Sequence, residues 1–185
     1  MLETELKSLL DKNTFEKIKN HYNWDKIFSQ ENHYYTDTTG VLAKNRATFR
    51  IRVIDNIPKL QIKLHKNRNS ALQICEEKEF DIDTIPEQIS EQDAKKYTEL
   101  DTGKLIKLGS NVTLRHSYMY NKNVEICLDY NTYLDIEDYE IEVEYVGECP
   151  TKLLDELKGL GVAFTEKSSG KYSRFIKRFN EVFFR

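Results

Sequence analysis

Three glutamates occupy every second position between residues 139 and 145, which read Tyr-Glu-Ile-Glu-Val-Glu-Tyr. The other positions are apolar or aromatic, so the segment has the two-residue period of a β-strand with two different faces. Carboxylates this close on one strand face repel one another. Either water solvates that face, or the carboxylates face a cation. Glu140, Glu142 and Glu144 are therefore candidate ligands for a hard divalent metal such as Mg²⁺ or Mn²⁺.

Charged residues alternate with apolar ones in other segments too, so that charges collect on one face of each predicted strand. Further acids come from the segment that contains Glu3 and Glu5 and from the one that contains Asp129. The proposed set has six acids and six bases, namely Glu3, Glu5, Asp129, Glu140, Glu142 and Glu144 with Lys7, Arg50, Arg52, Lys63, Arg115 and Lys171.

Six acids beside six bases have the chemistry that a metal–polyphosphate complex requires. Carboxylate oxygens bind Mg²⁺ or Mn²⁺, whereas Arg and Lys side chains bind phosphate oxygens. So many charges can be buried only if they are paired or liganded. The alternation by itself fits a solvated sheet face equally well, because charge clusters mark functional sites only some of the time.

The elements that must position these residues are eight strands and several helices. Because most links between strands are short, we expect antiparallel neighbours, and eight strands suit a closed barrel. The predicted strands cover residues 2–7, 34–38, 47–54, 59–65, 70–81, 111–118, 124–130 and 139–145. The register of the fifth strand stays open, because Glu76 and Glu77 lie on opposite faces and Glu79 follows them.

Helices are predicted from about Asn13, which is a candidate N-cap, within residues 86–100, over residues 150–159 and at the C-terminal end. Their apolar residues need an apolar surface, and the strands offer one on the face opposite the charges. We therefore expect helices outside the barrel and charges inside it. Arg174 and Arg178 could reach the mouth of the barrel or lie beside it.

The bulk composition fits one domain over residues 1–185, of which 32% are charged and 39% hydrophobic. A net charge of −3 argues against a nucleic-acid binder that works by bulk positive charge. The three cysteines have no CxxC spacing, which is typical of reduced thiols. No apolar run is long enough to span a membrane and no signal peptide is apparent, so we expect a cytoplasmic protein. Its expected oligomeric state is a monomer or a homodimer.

An ordered set of motifs extends this prediction. Glu3, Glu5 and Lys7 form an ExExK motif, and residues 34–38 read Tyr-Tyr-Thr-Asp-Thr. Following in order are Phe49-Arg-Ile-Arg52, Lys63, Arg115, Asp129, the glutamate strand and Lys171. This series resembles the CYTH superfamily, also called triphosphate tunnel metalloenzymes. The chain's size and the pairs Leu128-Asp129 and Asp138-Tyr139 are most similar to the compact bacterial YjbK-like branch.

The resemblance covers nearly the whole chain and implies an α+β fold, in which an eight-stranded antiparallel tunnel binds a triphosphate and Mg²⁺ or Mn²⁺. It implies catalytic roles for Glu3, Glu5 and Asp129. The same resemblance implies that phosphate is bound by Lys7, Arg50, Arg52, Lys63, Arg115 and Lys171. It implies that the metal is bound by Glu3, Glu5, Glu140, Glu142 and Glu144, and it does not decide which two of the last three glutamates are ligands.

The implied activity is hydrolysis of inorganic tripolyphosphate, thiamine triphosphate or a nucleoside triphosphate. Two alternatives stay open. One is a class IV-type adenylate cyclase, although no sequence feature demands a base-recognition pocket. The other is a non-catalytic binder of polyphosphate or nucleotide, against which the retained glutamates argue.

Overall fold

Nine antiparallel strands form one sheet in the structure, a computed structural model. It describes residues 2–66, 72–164 and 169–184, without the side chains at positions 2, 3, 72 and 73. The strands are β1 (Leu2–Leu10), β2 (Lys26–Asp37), β3 (Ala47–Ile54), β4 (Ile57–His65), β5 (Leu72–Asp81), β6 (Gln88–Ile89), β7 (Leu105–Asn121), β8 (Val124–Tyr133) and β9 (Ile136–Tyr145).

The strand order is β2-β3-β4-β5-β1-β9-β8-β7, and β2 also pairs with β7, so eight strands close into a barrel. The two-residue β6 pairs with β7 outside this ring. The described residues also form five helices, α1 (Lys12–Lys19), α2 (Val41–Lys44), α3 (Glu91–Thr98), α4 (Thr151–Gly159) and α5 (Lys171–Phe183). The predicted α+β fold, an eight-stranded antiparallel barrel with helices outside, is confirmed.

The two faces of the strands have the predicted assignment. On β9, Glu140 and Glu142 are buried inside the barrel, whereas Ile141 and Val143 are buried on its outer surface. The outer cluster on this side joins strands β1, β8 and β9 to helices α1 and α4, and includes Phe15, Ile18, Ile126, Leu128, Leu153 and Leu157. Fully burying an apolar side chain contributes about 1.5–3 kcal/mol, so the outer layer stabilises the barrel and leaves its interior for charges.

A second apolar cluster covers the opposite side of the barrel. Here Phe49, Ile51, Leu60 and Ile62 of β3 and β4 pack with Leu42 of α2 and Ala94 of α3. The first cluster thus covers the outside of β1, β8 and β9, which carry the acids, and the second covers the outside of β3, which carries Arg50 and Arg52. Within the described part of the chain, no helix is both long and apolar enough to cross a membrane.

Helix α5 packs against one end of the barrel through Phe175, which is fully buried and contacts the rings of Tyr34 and Tyr133. The backbone must leave room for this ring. At Gly109, φ is +152°, and an added Cβ would lie 3.1 Å from Cζ of Phe175. The register between β2 and β7 shifts at the same place. A glycine is therefore needed where the bulged strand meets the docked helix.

Replacing Gly109 with alanine should destabilise the protein, because alanine strains this φ and crowds Phe175. We expect a loss of about 1–3 kcal/mol of unfolding free energy and a Tm lower by about 2–4 °C for each kcal/mol. Differential scanning calorimetry measures the change. The matched control is Gly159→Ala, because Gly159 has no heavy atom within 4 Å of the added Cβ and should keep or slightly raise the Tm. Equal Tm values for the two variants would contradict the role given to Gly109.

Several element boundaries differ from the sequence predictions. Both β2 and β7 are longer than expected, because polar inner residues such as Gln30 and Asn32 hide the apolar period without breaking the strand. Helix α1 begins at Lys12, and its cap is Asp11 rather than Asn13, since the Asp11 carboxylate accepts a hydrogen bond from the Thr14 amide at 2.7 Å. The helix predicted within residues 86–100 is reduced to α3 and preceded by β6.

The open register of β5 is settled by its pairing with β4. Glu77 lies opposite Lys63, and Glu79 lies opposite Gln61, so both belong to the inner face. Glu76 lies on the other face, where its carboxylate pairs with Lys66 at 2.5 Å. The neighbouring strand therefore decides which of two adjacent glutamates enters the barrel.

Candidate active site

Arg115 is at the centre of the charged interior. Its Nε donates to Oδ1 of Asp129 at 2.8 Å and its Nη2 donates to Oδ2 at 2.6 Å, and the same guanidinium also contacts Glu142. The pairing follows from the fold, because Arg115 on β7 is directly opposite Asp129 on β8. Burial raises the pKa of the Asp129 carboxyl, but Arg115 and Lys171 outweigh burial and lower it. Asp129 is therefore a buried, ionised carboxylate.

Helix α5 brings Lys171 into the same cluster from its first turn. The Lys171 Nζ lies 2.9 Å from Asp129 and 3.0 Å from Glu142, and it also contacts Glu140. Burial raises the pKa of Glu140 even beside this ammonium group. Burial acts in the same direction on Glu142, but Lys171, Lys7 and Arg115 together hold its pKa well below the usual value. The two neighbouring glutamates are therefore in different electrostatic environments.

Strand β1 contributes a second group of charges. The Lys7 Nζ lies 2.8 Å from Glu5 and 3.4 Å from Glu142, and the Lys63 Nζ lies 3.7 Å from Glu5. Burial raises the pKa of the Glu5 carboxyl, but Lys7 and Lys63 oppose it more strongly and lower the pKa to about 2. Glu5 is thus ionised and can bind a cation. The side chain of Glu3 is outside the described part of the structure, so its role stays a prediction.

The two arginines of β3 have different partners. Arg50 donates to Gln61 at 2.8 Å and to Glu77 at 3.2 Å. Arg52 donates from Nε to the amide oxygen of Asn32 at 2.9 Å, and among the described residues no acid pairs with it. Burial lowers the pKa of the Arg52 guanidinium to about 10, with further lowering from Arg50 and Arg115. Arg52 therefore lies in a positive environment that an anion would stabilise.

Among the described residues, two groups of carboxylates have oxygen atoms within 4.8 Å of one another. Glu5, Glu142 and Glu144 form one group, and Asp129, Glu140 and Glu142 form the other. The first group fits a metal better. Glu5 and Glu144 are directly opposite each other on β1 and β9, where like charges repel and a cation would remove the repulsion. All three carboxylates of the second group contact the Lys171 ammonium. The first group instead shares Lys7 and Arg115, and Glu144 lies 3.7 Å from Arg115.

Glu144 is also accessible enough to leave a bound metal some water ligands, which Mg²⁺ usually keeps. Its side chain is 27% exposed, compared with 2% for Glu5. A cavity of about 280 Å³ lies at this end of the barrel, and its lining includes Glu77 and Glu144. Glu144 is therefore adjacent to a solvent-accessible cavity.

Two inner residues, Arg174 and Glu77, were not in the predicted site. Arg174 of α5 is buried and contacts Asp138 at 2.7 Å and Glu140 at 2.8 Å, and Glu77 pairs with Arg50. The spacing of Lys171 and Arg174 could have revealed Arg174, because residues three apart share one face of a helix. Arg178 does not reach the interior and pairs with Asp135 and Glu181 instead.

The closed barrel encloses buried, interleaved acids and bases, a kind of charge cluster that is typical of functional sites. The model of the CYTH domain matches residues 1–174, and the chain belongs to this family. The predicted family is confirmed. The match does not distinguish the branches of the family, so the similarity to the YjbK-like branch stays a prediction. No curated protein sequence matches this chain.

Solved structures share the fold over nearly the whole chain. A candidate adenylate cyclase from Bacillus halodurans is 25% identical with a TM-score of 0.72, covering 94% of this chain and 96% of that one. The Hippeastrum protein HpAC1, a candidate adenylyl cyclase with a dominant triphosphatase activity, is 21% identical with a TM-score of 0.71, covering 95% and 96%. The Mimivirus capping enzyme triphosphatase is 12% identical with a TM-score of 0.57, covering 87% and 90%.

All three cysteines are reduced, as expected from their spacing. Cys75 and Cys127 are buried and Cys149 is exposed. Cys127 is next to the charged cluster, and burial raises the pKa of its thiol well above the usual value despite the nearby Arg115. A neutral thiol is a poor nucleophile, which argues against a nucleophilic role for Cys127.

Proposed function

We propose that this protein hydrolyses a triphosphate bound inside the barrel, with a divalent metal held by carboxylates. The observation that supports it best is Arg52, an inward-facing guanidinium paired with an amide instead of an acid, in a barrel that also contains a repelling carboxylate pair. Guanidinium groups bind phosphate oxygens in bidentate fashion. A metal–triphosphate complex would supply an anion at Arg52. It would also add a cation between Glu5 and Glu144, whose present cationic neighbours include Lys7 for Glu5 and Arg115 for Glu144.

The residues that would hold the metal are Glu5, Glu142 and Glu144, together with Glu3 if its side chain joins them. Oxygen donors of this kind favour Mg²⁺ or Mn²⁺. When bound, the metal would neutralise phosphate charge and polarise the terminal phosphoryl group. Glu140 is assigned a supporting role here, because it contacts Lys171 and Arg174 rather than the Glu5–Glu144 pair.

The bases would bind and orient the phosphate chain. Arg52 can do so in the present arrangement, because no described acid pairs with it. Lys7 instead contacts Glu5 and Glu142, and Arg115 contacts Asp129 and Glu142. A metal that takes over Glu5 and Glu142 would release Lys7 towards phosphate. The proposal also assigns phosphate binding to Arg50, Lys63 and Lys171. Their positive charges would stabilise negative charge on the phosphoryl oxygens.

Asp129 and Glu5 are the described acids that could orient the attacking water. Both have lowered pKa values, so each accepts a hydrogen bond well but is a weak proton acceptor. This agrees with phosphoryl transfer, in which positioning and charge stabilisation contribute more than proton abstraction. We therefore assign them to positioning water rather than to strong general-base catalysis.

Hydrolysis is preferred over cyclisation because the described interior has acids and bases suited to a triphosphate, while no feature of the sequence demands a base-recognition pocket. The triphosphatase activities named for the Hippeastrum and Mimivirus proteins favour the same choice. The likeness to the Bacillus halodurans protein keeps a cyclase as the second candidate.

A product assay tests the proposal. With Mg²⁺ or Mn²⁺ and a panel of tripolyphosphate, thiamine triphosphate and ATP, we expect orthophosphate to be released without cyclic AMP. Excess EDTA should abolish turnover, because without a metal the carboxylates repel the phosphate oxygens and the terminal phosphoryl group is not polarised. Pyrophosphate and cyclic AMP made from ATP would establish the cyclase instead. Binding without any product would leave a non-catalytic binder, and turnover in EDTA would rule out the metal.

A further inference from the structure

A belt of uncharged polar side chains crosses the inner wall on β2, β7 and β8. It consists of Asn32, Asn111, Thr113 and Asn131, each at most 1% exposed. Their partners link the belt to a charge at each end. Arg52 donates to Asn32 at one end, and Asn131 donates to Asp138 at 2.9 Å at the other. The belt fills wall positions that carry acids or bases on neighbouring strands.

The charged ends fix how the amides are oriented. A guanidinium can only donate hydrogen bonds, so the Asn32 oxygen must face Arg52. The Asn32 Nδ2 is then turned towards Oδ1 of Asn111, 3.5 Å away. An ionised carboxylate can only accept hydrogen bonds, so Asn131 turns its amide nitrogen to Asp138 and its oxygen to the Thr113 hydroxyl, 2.6 Å away. Neither amide can rotate by 180° without losing its charged partner.

Arg115 and Arg52 each donate a hydrogen bond from Nε inside the barrel, so their partners can be compared. The Nε of Arg115 donates to a carboxylate oxygen of Asp129 at 2.8 Å, and the Nε of Arg52 donates to an amide oxygen of Asn32 at 2.9 Å. Asparagine has the shape of aspartate without its charge. Asn32 therefore orients a guanidinium as Asp129 does, but it leaves the positive charge uncompensated.

We infer that Asn32 is a positioning residue for Arg52, held in place by the belt through Asn111, and that its neutrality keeps the guanidinium available for a phosphoryl group. The inference rests on the proposed function. It explains why the arginine at this position has an amide partner although acids are abundant elsewhere on the inner wall. An aspartate at position 32 would form an ion pair that competes with phosphate.

The test is Asn32→Asp, which keeps the shape and adds a charge. With tripolyphosphate and Mg²⁺ we expect KM to rise by about tenfold, while kcat changes by less than about threefold, because Arg52 binds phosphate in both the ground state and the transition state. The Tm should stay the same or rise, since the new carboxylate pairs with Arg52. A purely structural asparagine would instead give a lower Tm and an unchanged KM.

A double-mutant cycle shows whether Asn32 acts through Arg52. In an Arg52→Gln background, Asn32→Asp should lose most of its effect on KM. An undiminished effect there would overturn the inference, as would an unchanged KM in the single variant. Gln30→Glu is the matched control, because it adds the same charge two residues away on the same strand; an equal KM increase there would mean that general repulsion, not Arg52, is responsible.

Two further outcomes are separated by design. If Asn32→Asp does not fold, Asn32→Ser takes its place. The shorter serine side chain cannot hold the Nε of Arg52, so KM should rise in the wild-type background and not in the Arg52→Gln background. Equal increases of KM in both backgrounds would overturn the inference. If the wild-type protein neither binds nor hydrolyses tripolyphosphate, the proposed function and this inference both fall. If it hydrolyses tripolyphosphate but the cycle shows no coupling, only the inference about Asn32 falls.

Discussion

Replacing Glu142 with glutamine should lower triphosphate turnover by at least about a thousandfold. The loss of metal-based charge stabilisation raises the activation free energy by several kcal/mol. Glu142 is the carboxylate shared by both acid groups. It also contacts Lys7, Arg115 and Lys171. The amide keeps the shape but binds metal poorly and no longer attracts these three bases. Steady-state orthophosphate release, measured as a function of Mg²⁺ concentration, gives the effect.

The matched control is Glu137→Gln on the same strand. Glu137 is exposed and its carboxylate accepts hydrogen bonds from Tyr130 and Tyr139, away from the charged interior. Its replacement should leave turnover within about twofold of the wild type, as expected for a surface change. Near-ultraviolet circular dichroism establishes that both variants are folded. A folded Glu142→Gln protein with near-normal turnover would exclude Glu142 as a metal ligand.

Glu144→Gln separates metal binding from the rest of the site. Because Glu144 is partly exposed and belongs only to the group with Glu5, its loss should raise the Mg²⁺ concentration for half-maximal activity by about tenfold or more. Maximal turnover at saturating Mg²⁺ should fall less than in Glu142→Gln. An unchanged Mg²⁺ requirement would place the metal at the other carboxylate group instead.

Tripolyphosphate with Mg²⁺ should raise the Tm far more than orthophosphate with Mg²⁺ does. A ligand that binds only the folded state stabilises it by about 2.7 kcal/mol at a hundredfold excess over Kd, which corresponds to a rise of about 5–11 °C for a protein of this size. The physical reason is that several bases converge on the barrel interior, so a longer chain engages more of them. Calorimetry or differential scanning fluorimetry measures the rise.

Arg52→Lys should reduce this stabilisation although the charge is kept, because lysine cannot make the bidentate contact of a guanidinium. The control is Arg178→Lys, since Arg178 pairs with Asp135 and Glu181 outside the barrel. That variant should show the same ligand-induced rise as the wild type. Equal rises with orthophosphate and tripolyphosphate would show that the barrel does not distinguish chain length, and the triphosphate proposal would then fail.

Much of the fold was determined by the alternation of residue types along the chain. On the strand of residues 139–145, a period of two fixes that Glu140, Glu142 and Glu144 share one face. The apolar face must be covered, and the helices supply the cover, so the charges have only the interior left to occupy. The same reasoning predicted Glu5, Lys7, Arg50, Lys63, Arg115 and Asp129 on the inner wall, and the structure places them there.

Local periodicity could not say which charges meet, because that depends on strand register and on helix docking. The register between β4 and β5 turns Glu77 inward to Arg50. The docking of α5 through Phe175 carries Lys171 and Arg174 into the acid cluster, although neither lies on a strand. Pairing with neighbouring strands also extends β2 and β7 beyond their apolar segments.

The same limit applies to Arg50 and Arg52, which occupy equivalent positions in one alternating strand. The sequence by itself predicts the same role for both. Only the tertiary structure distinguishes them, because a carboxylate from β5 reaches Arg50 and an amide from β2 reaches Arg52. The Coulomb energy of a charge pair is inversely proportional to its distance, so the nearest partner contributes most. The fold places a carboxylate nearest to Arg50 and a neutral amide nearest to Arg52, which leaves Arg52 as the arginine for a ligand in the proposed function.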